Sequence, residues 1–184
     1  MARPWILALV ALGIASGCQV PAARTARLRM ASPDSVSARA ELPHTRLARL
    51  GHGIIEGIPG IPEVEFRISD RDALGAWTWP SGEITITQAL IELLDDAELS
   101  AVLAHEVGHL MVRASAQSAL AEETGDQALE LAADRCGCCL LARRSVRPDA
   151  MVSMLRKVAS GLRNARALDR RIAAASRACG TGCE

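Results

Sequence analysis

The sequence predicts an α+β domain, mostly helical, with a small antiparallel sheet packed on one of its helices. Two observations carry this. Apolar residues recur at helical spacing in several separate stretches, whereas strict alternation of apolar and polar residues is confined to about residues 63–87. A third fixes the centre: a long helical stretch carries a single H-E-x-x-H run, His105-Glu106-Val107-Gly108-His109. With 184 residues, 49% of them apolar, and a formal net charge of zero, the chain can build one domain with a real core. It lacks the basic footprint of a nucleic-acid binder, so no nucleic-acid partner is expected.

The N-terminus reads as a leader. Arg3 supplies a positive start and residues 5–15 are apolar apart from Gly13, a run too short to span a bilayer and of the right length for secretion. It closes in Ala15-Ser16-Gly17-Cys18, which resembles a bacterial lipobox whose cysteine is lipidated and begins the mature chain. Ala15 stands where Leu is usual. The expected organisation is a lipoprotein-type signal peptide over 1–17, lipidated Cys18 and a flexible tether over 18–41, and a folded domain over 42–184. The tether is rich in Ala, Arg, Ser and Pro and has no apolar period. Gln19 after the cysteine points to an outer-membrane lipoprotein facing the periplasm, so the membrane is an expected partner through the lipid at Cys18.

The domain opens with a helix near Pro43 whose stripe is Leu47, Leu50 and Ile54. His44 and His52 lie on or beside it and read as surface residues. The Gly/Pro turn over 57–62 ends it. The period then becomes two. Val64, Phe66 and Ile68 alternate with Glu63, Glu65 and Arg67, a second strand holds Trp77 and Trp79, and a third runs over 83–87 after a Pro80-Ser81-Gly82 turn. Pro80 and the thin polar face place this third strand, with Gly82, Glu83, Ile84, Thr85 and Ile86, at or near a sheet edge. Such an edge can accept an extended polypeptide as an added strand.

A short helix over 88–94 follows, then Asp95 as N-cap with Glu98 three residues on, a capping-box pair. The helix from about residue 96 to 113 buries Leu99, Val102, Leu103, Val107 and Leu110. On it His105 and His109 share a face, roughly 6 Å apart along the axis. Two imidazoles so placed can hold one metal ion, with Glu106 in reach of a water upon it. Gly108, unfavourable in a helix, fits close packing by another element, such as a strand or a substrate, beside the metal. A catalytic zinc needs a third protein ligand, and Glu130 on the next helix is a candidate. Asp134, one turn on, could orient a ligand histidine. Glu122, Glu123 and Asp126 compete, and periodicity does not choose among these acids.

Of the six cysteines, Cys18 is assigned to lipid. Cys136, Cys138, Cys139, Cys179 and Cys183 remain, an odd number, so at least one is unpaired within the chain. After export, disulfides are expected, either stapling the tail to the helix of Glu130 and Asp134 or joining Cys179 to Cys183. Pro148 opens a further helix whose stripe of Met151, Met154, Leu155, Val158 and Leu162 reads as core.

These motifs resemble a known family. Ala76-Trp77 followed by Pro80-Ser81-Gly82-Glu83-Ile84-Thr85-Ile86 is similar to the A-aromatic-x-x-P-x-G-x-I-x-V strand pair of HtpX-like and CaaX-prenyl-protease-like zinc endopeptidases. The run from Glu98 to His109 resembles their E-L-x-A-V-L-A-H-E-x-G-H signature. Glu130-x-x-Ala133-Asp134 matches their E-x-x-A-D segment, and Arg170-Arg171-Ile172 their late R-I segment. The resemblance covers about residues 45–175 in consistent order. It implies a gluzincin core, one catalytic zinc ion held by His105, His109 and Glu130, and Glu106 as general base. The chain departs in having Gly75 for Asn and in lacking His-Pro before the R-I segment, which concerns the substrate groove more than the metal site. With no transmembrane pattern after the leader, it resembles the compact, lipid-anchored members.

The expected function is a zinc endopeptidase of the bacterial cell envelope that cleaves unfolded or extended polypeptides in quality control or maturation. With no Tyr in the chain, an Arg or another His is left as the oxyanion donor besides zinc. One rival is a non-cleaving chaperone or assembly lipoprotein that binds peptides on its edge strand, a role that has no need of Glu106. Another is a structural lipoprotein stabilised by a metal.

Overall fold

The computed structural model describes residues 5–6, 41–61, 63–114, 126–147, 149–161 and 166–179. Cys18, Glu122, Glu123, Pro148, Leu162, Cys183, the tether and nearly all of the leader lie outside them.

Helix α1, Pro43–Ile55, starts with proline in its first turn, where the missing N–H costs nothing, and buries Leu47, Gly51 and Ile54. Phe66 lies directly over Gly51, where a Cβ would come within 2.5 Å of the ring. Both His44 and His52 are exposed, as expected.

The strands are β1 (Trp5–Ile6), β2 (Glu65–Ser69), β3 (Ala76–Thr78) and β4 (Glu83–Thr87), in the order β1-β3-β4-β2. Two expectations are corrected here. The sheet is mixed, because β2 and β4 are parallel while β3 and β4 are antiparallel. The chain reverses once between β2 and β3 and again in the hairpin before β4, so β4 returns in the direction of β2. Nor is β4 an edge. It is paired on both sides, Glu65–Ser69 matching Glu83–Thr87 along one and Ala76–Thr78 lying along the other. Pro80 misled because it lies in the hairpin turn, where it says nothing of the strand's position. Gly82 closes that turn at φ 93°, backbone that favours glycine, with its N–H donating to the carbonyl of Trp79 at 3.0 Å. The strand with a lightly used side is β3, which beyond β4 meets, among the described residues, only the two residues of β1, antiparallel, with Trp5 opposite Thr78 and Ile6 opposite Trp77.

Helix α2, Gln88–Leu93, is capped by Thr87, whose hydroxyl accepts from the N–H of Leu90 at 3.3 Å. Arg46 reaches over from α1 to donate to the carbonyls of Ile91 and Leu94 at 2.7 and 2.8 Å. The central helix α3, Asp96–Ala114, begins in the expected capping box: Glu98 N–H donates to Asp95 Oδ1 at 2.8 Å and Asp95 N–H to Glu98 Oε2 at 2.9 Å. Leu99, Val102, Leu103, Val107 and Leu110 are buried as the period predicted.

Helix α4, Asp126–Arg143, packs along α3 so closely that two glycines are required. A Cβ on Gly108 would stand 2.6 Å from the carbonyl oxygen of Ala133, and one on Gly137 would stand 3.2 Å from the backbone N of His105. The neighbour that Gly108 admits is therefore a helix rather than a strand or substrate. Helices α5, Ala150–Ser160, and α6, Arg166–Ala178, close the core, with Met151, Met154, Leu155 and Val158 fully buried. The result is a helical core with a small sheet on α3, the α+β class predicted. Among the described residues no helix is long and apolar enough to cross a membrane.

Candidate metal centre

The close α3–α4 crossing sets the site. His105 and His109 rise from α3 with ring centroids 4.6 Å apart, and their Nε2 atoms face each other at 3.1 Å. From α4, Glu130 presents Oε2 at 3.3 Å from His105 Nε2 and Oε1 at 3.4 Å from His109 Nε2. These three can hold a metal ion, since one donor atom from each lies within 4.8 Å of the others. Among the described residues Glu130 is the acid brought to the histidines; Glu122 and Glu123 lie outside them. Asp126 stands at the first residue of α4, a full turn before Glu130.

Asp134 sits behind the pair. Its Oδ1 is 2.8 Å from His105 Nδ1, which assigns that nitrogen the proton and leaves the Nε2 lone pair facing Glu130 and His109. A lone pair aimed at a carboxylate oxygen is repulsive unless a cation lies between. The charge count agrees: Glu106, Glu130 and Asp134 oppose a single buried cation, Arg171, which leaves two negative charges while the imidazoles are neutral. A divalent ion fits both the donor set and the charge. Without one, a proton takes the place: burial and Arg171 work against it, yet Asp134 and Glu130 raise His105 to about 9. Burial likewise opposes the charge on Glu130, but its contacts with His105 and His109 hold it well below the usual carboxylate range. Asp134 is held down by Arg171 against its own burial.

Glu106 differs. It is fully buried, and Thr78 Oγ1 of β3 donates to its Oε2 at 2.6 Å, while Oε1 has no hydrogen-bond partner. Burial pushes its carboxyl up, against the opposing pull of the two histidines. A buried carboxylate with one idle oxygen and a raised pKa beside a candidate metal pocket is suited to accepting a proton.

Two residues of the site escaped sequence reasoning. Thr78 carried no signal beyond its strand. Arg171 enters the sequence only as part of a motif, yet it is 3% exposed and forms ion pairs with both Glu130 and Asp134. The available signal was its place on the buried stripe of α6, between Leu168 and Ala175, because a charge on an apolar stripe demands a partner. With its nitrogens on these acids, Arg171 is committed to holding the site.

The proposed substrate residues Gly82, Glu83, Ile84, Thr85 and Ile86 are not brought to the pocket by a free edge. Ile84 and Ile86 are wholly buried, and β3, through Thr78, is the strand that touches Glu106. Of the cysteines, Cys138 is bonded to Cys179, the staple from tail to helix rather than the local pair. Cys139 is also disulfide-bonded and Cys136 is free.

Two helical histidines and a glutamate from a neighbouring helix thus form a candidate metal-binding set. Comparison with known proteins agrees: residues 41–129 match the model of peptidase family M48, which bears out the resemblance read from the motifs. The match ends one residue before Glu130, so its place as candidate third ligand rests on geometry. The chain is also 27% identical over 137 residues to metalloprotease YcaL of Escherichia coli strain K12, covering 74% of this chain and 50% of the relative. It thus spans about half the length of that curated relative.

Proposed function

We propose that this protein is a zinc-dependent endopeptidase of the bacterial cell envelope, tethered through lipid on Cys18 and cleaving unfolded or extended polypeptides. The observation that carries the reading is the convergence of His105, His109 and Glu130 beside Glu106 Oε1, a buried acceptor with nothing to accept.

When bound by His105, His109 and Glu130, zinc would acidify water and polarise the scissile carbonyl. The chain's residues do the rest. Asp134 keeps the proton of His105 on Nδ1, so that Nε2 can act as a ligand. Glu106 takes a proton at Oε1 and passes it to the leaving amine, while Thr78 holds its other oxygen in place. The substrate lies along β3 rather than β4. Pairing of the apolar residues Trp5 and Ile6 with Thr78 and Trp77 supports this, because it shows that side of β3 accepting an extended antiparallel segment next to Glu106. Main-chain pairing of that kind is indifferent to most side chains, which suits unfolded substrates.

Proteolysis of casein by the wild type and Glu106→Gln, with zinc content measured on both, tests the reading. One zinc in each and cleavage by the wild type alone is expected. Equal zinc with no cleavage by either would favour the binding role, and absence of zinc from both would remove the metal assignment.

A further inference from the structure

Two of the links between helix α6 and α4, one ionic and one covalent, bear on the metal pocket; on the surface Arg170 also donates to Gln127 Oε1 at 3.1 Å. The ionic link is Arg171. Its Nη1 lies 2.7 Å from Glu130 Oε2, and Nη2 and Nε donate to the two oxygens of Asp134 at 2.7 and 2.8 Å. Asp134 holds His105 in turn. One guanidinium thus fixes one candidate ligand directly and a second through its carboxylate. The covalent link is Cys138–Cys179. Cys138 follows Asp134 by one turn of α4, and Cys179 follows Arg171 by eight residues, roughly 12 Å along the helix axis.

The apolar footing of α6 is small. Leu168 and Ala175 are its fully buried apolar side chains, with Ile172 and Ala178 half-buried, among the described residues. Against this, the helix inserts a cation into the interior, where loss of hydration opposes it unless the partners are held in place. A guanidinium fork satisfies two carboxylates only in one orientation. Something must therefore keep α6 in register with α4.

We propose that the Cys138–Cys179 disulfide is a positioning device for the metal site. By pinning α6 to α4 it keeps Arg171 on Glu130 and Asp134, and so makes zinc affinity conditional on oxidation. In the reverse step two thiols of a glutathione-like reductant supply two electrons and two protons. The S–S bond breaks, Cys138 and Cys179 become thiols, and the reductant leaves as its own disulfide. The carboxylates of Glu130 and Asp134 then lose the cation that aligned them. This rests on the zinc reading above.

The test measures zinc affinity by competition with a chromophoric chelator, on the full chain, for the wild type, Cys138→Ser/Cys179→Ser, Arg171→Lys and the triple variant. Serines leave Cys136 and the bond of Cys139 as they are and add no thiol ligand. Each of the first two variants should weaken zinc binding about 10- to 100-fold, the range for groups that orient metal ligands. The triple variant should be no weaker than either within about twofold, because both act along one path. A lower melting temperature with unchanged affinity, or losses that multiply, would overturn the proposal. Should the serine variant fail to fold, the wild type still decides. Saturating zinc must shift the Cys138–Cys179 equilibrium in glutathione buffers toward the disulfide by the same factor, and no shift overturns it. If the wild type binds no zinc, the functional reading fails as well; if all four proteins bind it equally, this inference alone falls.

Discussion

Two glutamates on α3, Glu98 and Glu106, stand about two turns apart and are equally hidden, at 1% and 0% exposure, yet they do opposite work. Glu98 is fully engaged. It accepts from the Asp95 N–H at 2.9 Å, from Ser153 at 2.6 Å and from Lys157 at 2.5 Å, so it ties the start of α3 to α5. Burial would raise its pKa, but Lys157, Ser153 and that N–H lower it below 4.5. Glu106 has Thr78 on one oxygen and nothing on the other, and its pKa is raised. Burial alone therefore does not distinguish a structural acid from a chemical one. The partners do.

The largest effect expected is on Glu106. Substitution by Gln should lower kcat by about 10²- to 10⁴-fold, the contribution of a general base. It should leave zinc content and melting temperature unchanged, since little holds that carboxylate. A large loss of stability would erase the contrast with Glu98.

The reverse pattern is expected for Glu98→Ala. It should destabilise the fold by about 3 kcal/mol, because a cap and a buried, charge-assisted network are lost together, with cleavage by the remaining folded protein intact. Denaturant unfolding measures it. The pH dependence has a definite sign. A folded pKa below 4.5 means that the stability from Glu98 is present above about pH 4.5 and is lost as pH falls through the lower folded value. Glu98→Gln should flatten that part of the acid-unfolding curve.

Gly108→Ala tests the crossing that brings Glu130 to the histidines. The added methyl meets Ala133 at 2.6 Å, so a cost of about 1–3 kcal/mol is expected despite the better helix propensity of Ala. Zinc affinity should fall with it. Gly53→Ala, which has open space, should if anything stabilise and serves as the control.

The smallest effect sharpens the comparison. Thr78→Val removes the single side-chain donor to Glu106, at about 1 kcal/mol, so kcat should drop roughly fivefold with zinc content unchanged. No change would mean that Thr78 does not hold the general base.

What the sequence determined by itself was local. The four-residue spacing of His105 and His109, the Asp95–Glu98 cap, the proline start of α1 and the apolar stripes all act within one or two turns of chain, so period and residue type suffice. The family motifs added Glu130 and Asp134, which spacing alone left among several acids. Strand order was not legible, because pairing joins distant segments through backbone groups that every residue carries; hence β4 was read as an edge and proved central. The same holds for Arg171, for Thr78 and for the choice of Cys179 as the partner of Cys138. Each depends on which helix face meets which neighbour at what distance. Gly108 and Gly137 set that distance between α3 and α4, and through it the tertiary structure, not the motif, gathers two histidines, two acids and an arginine around one point.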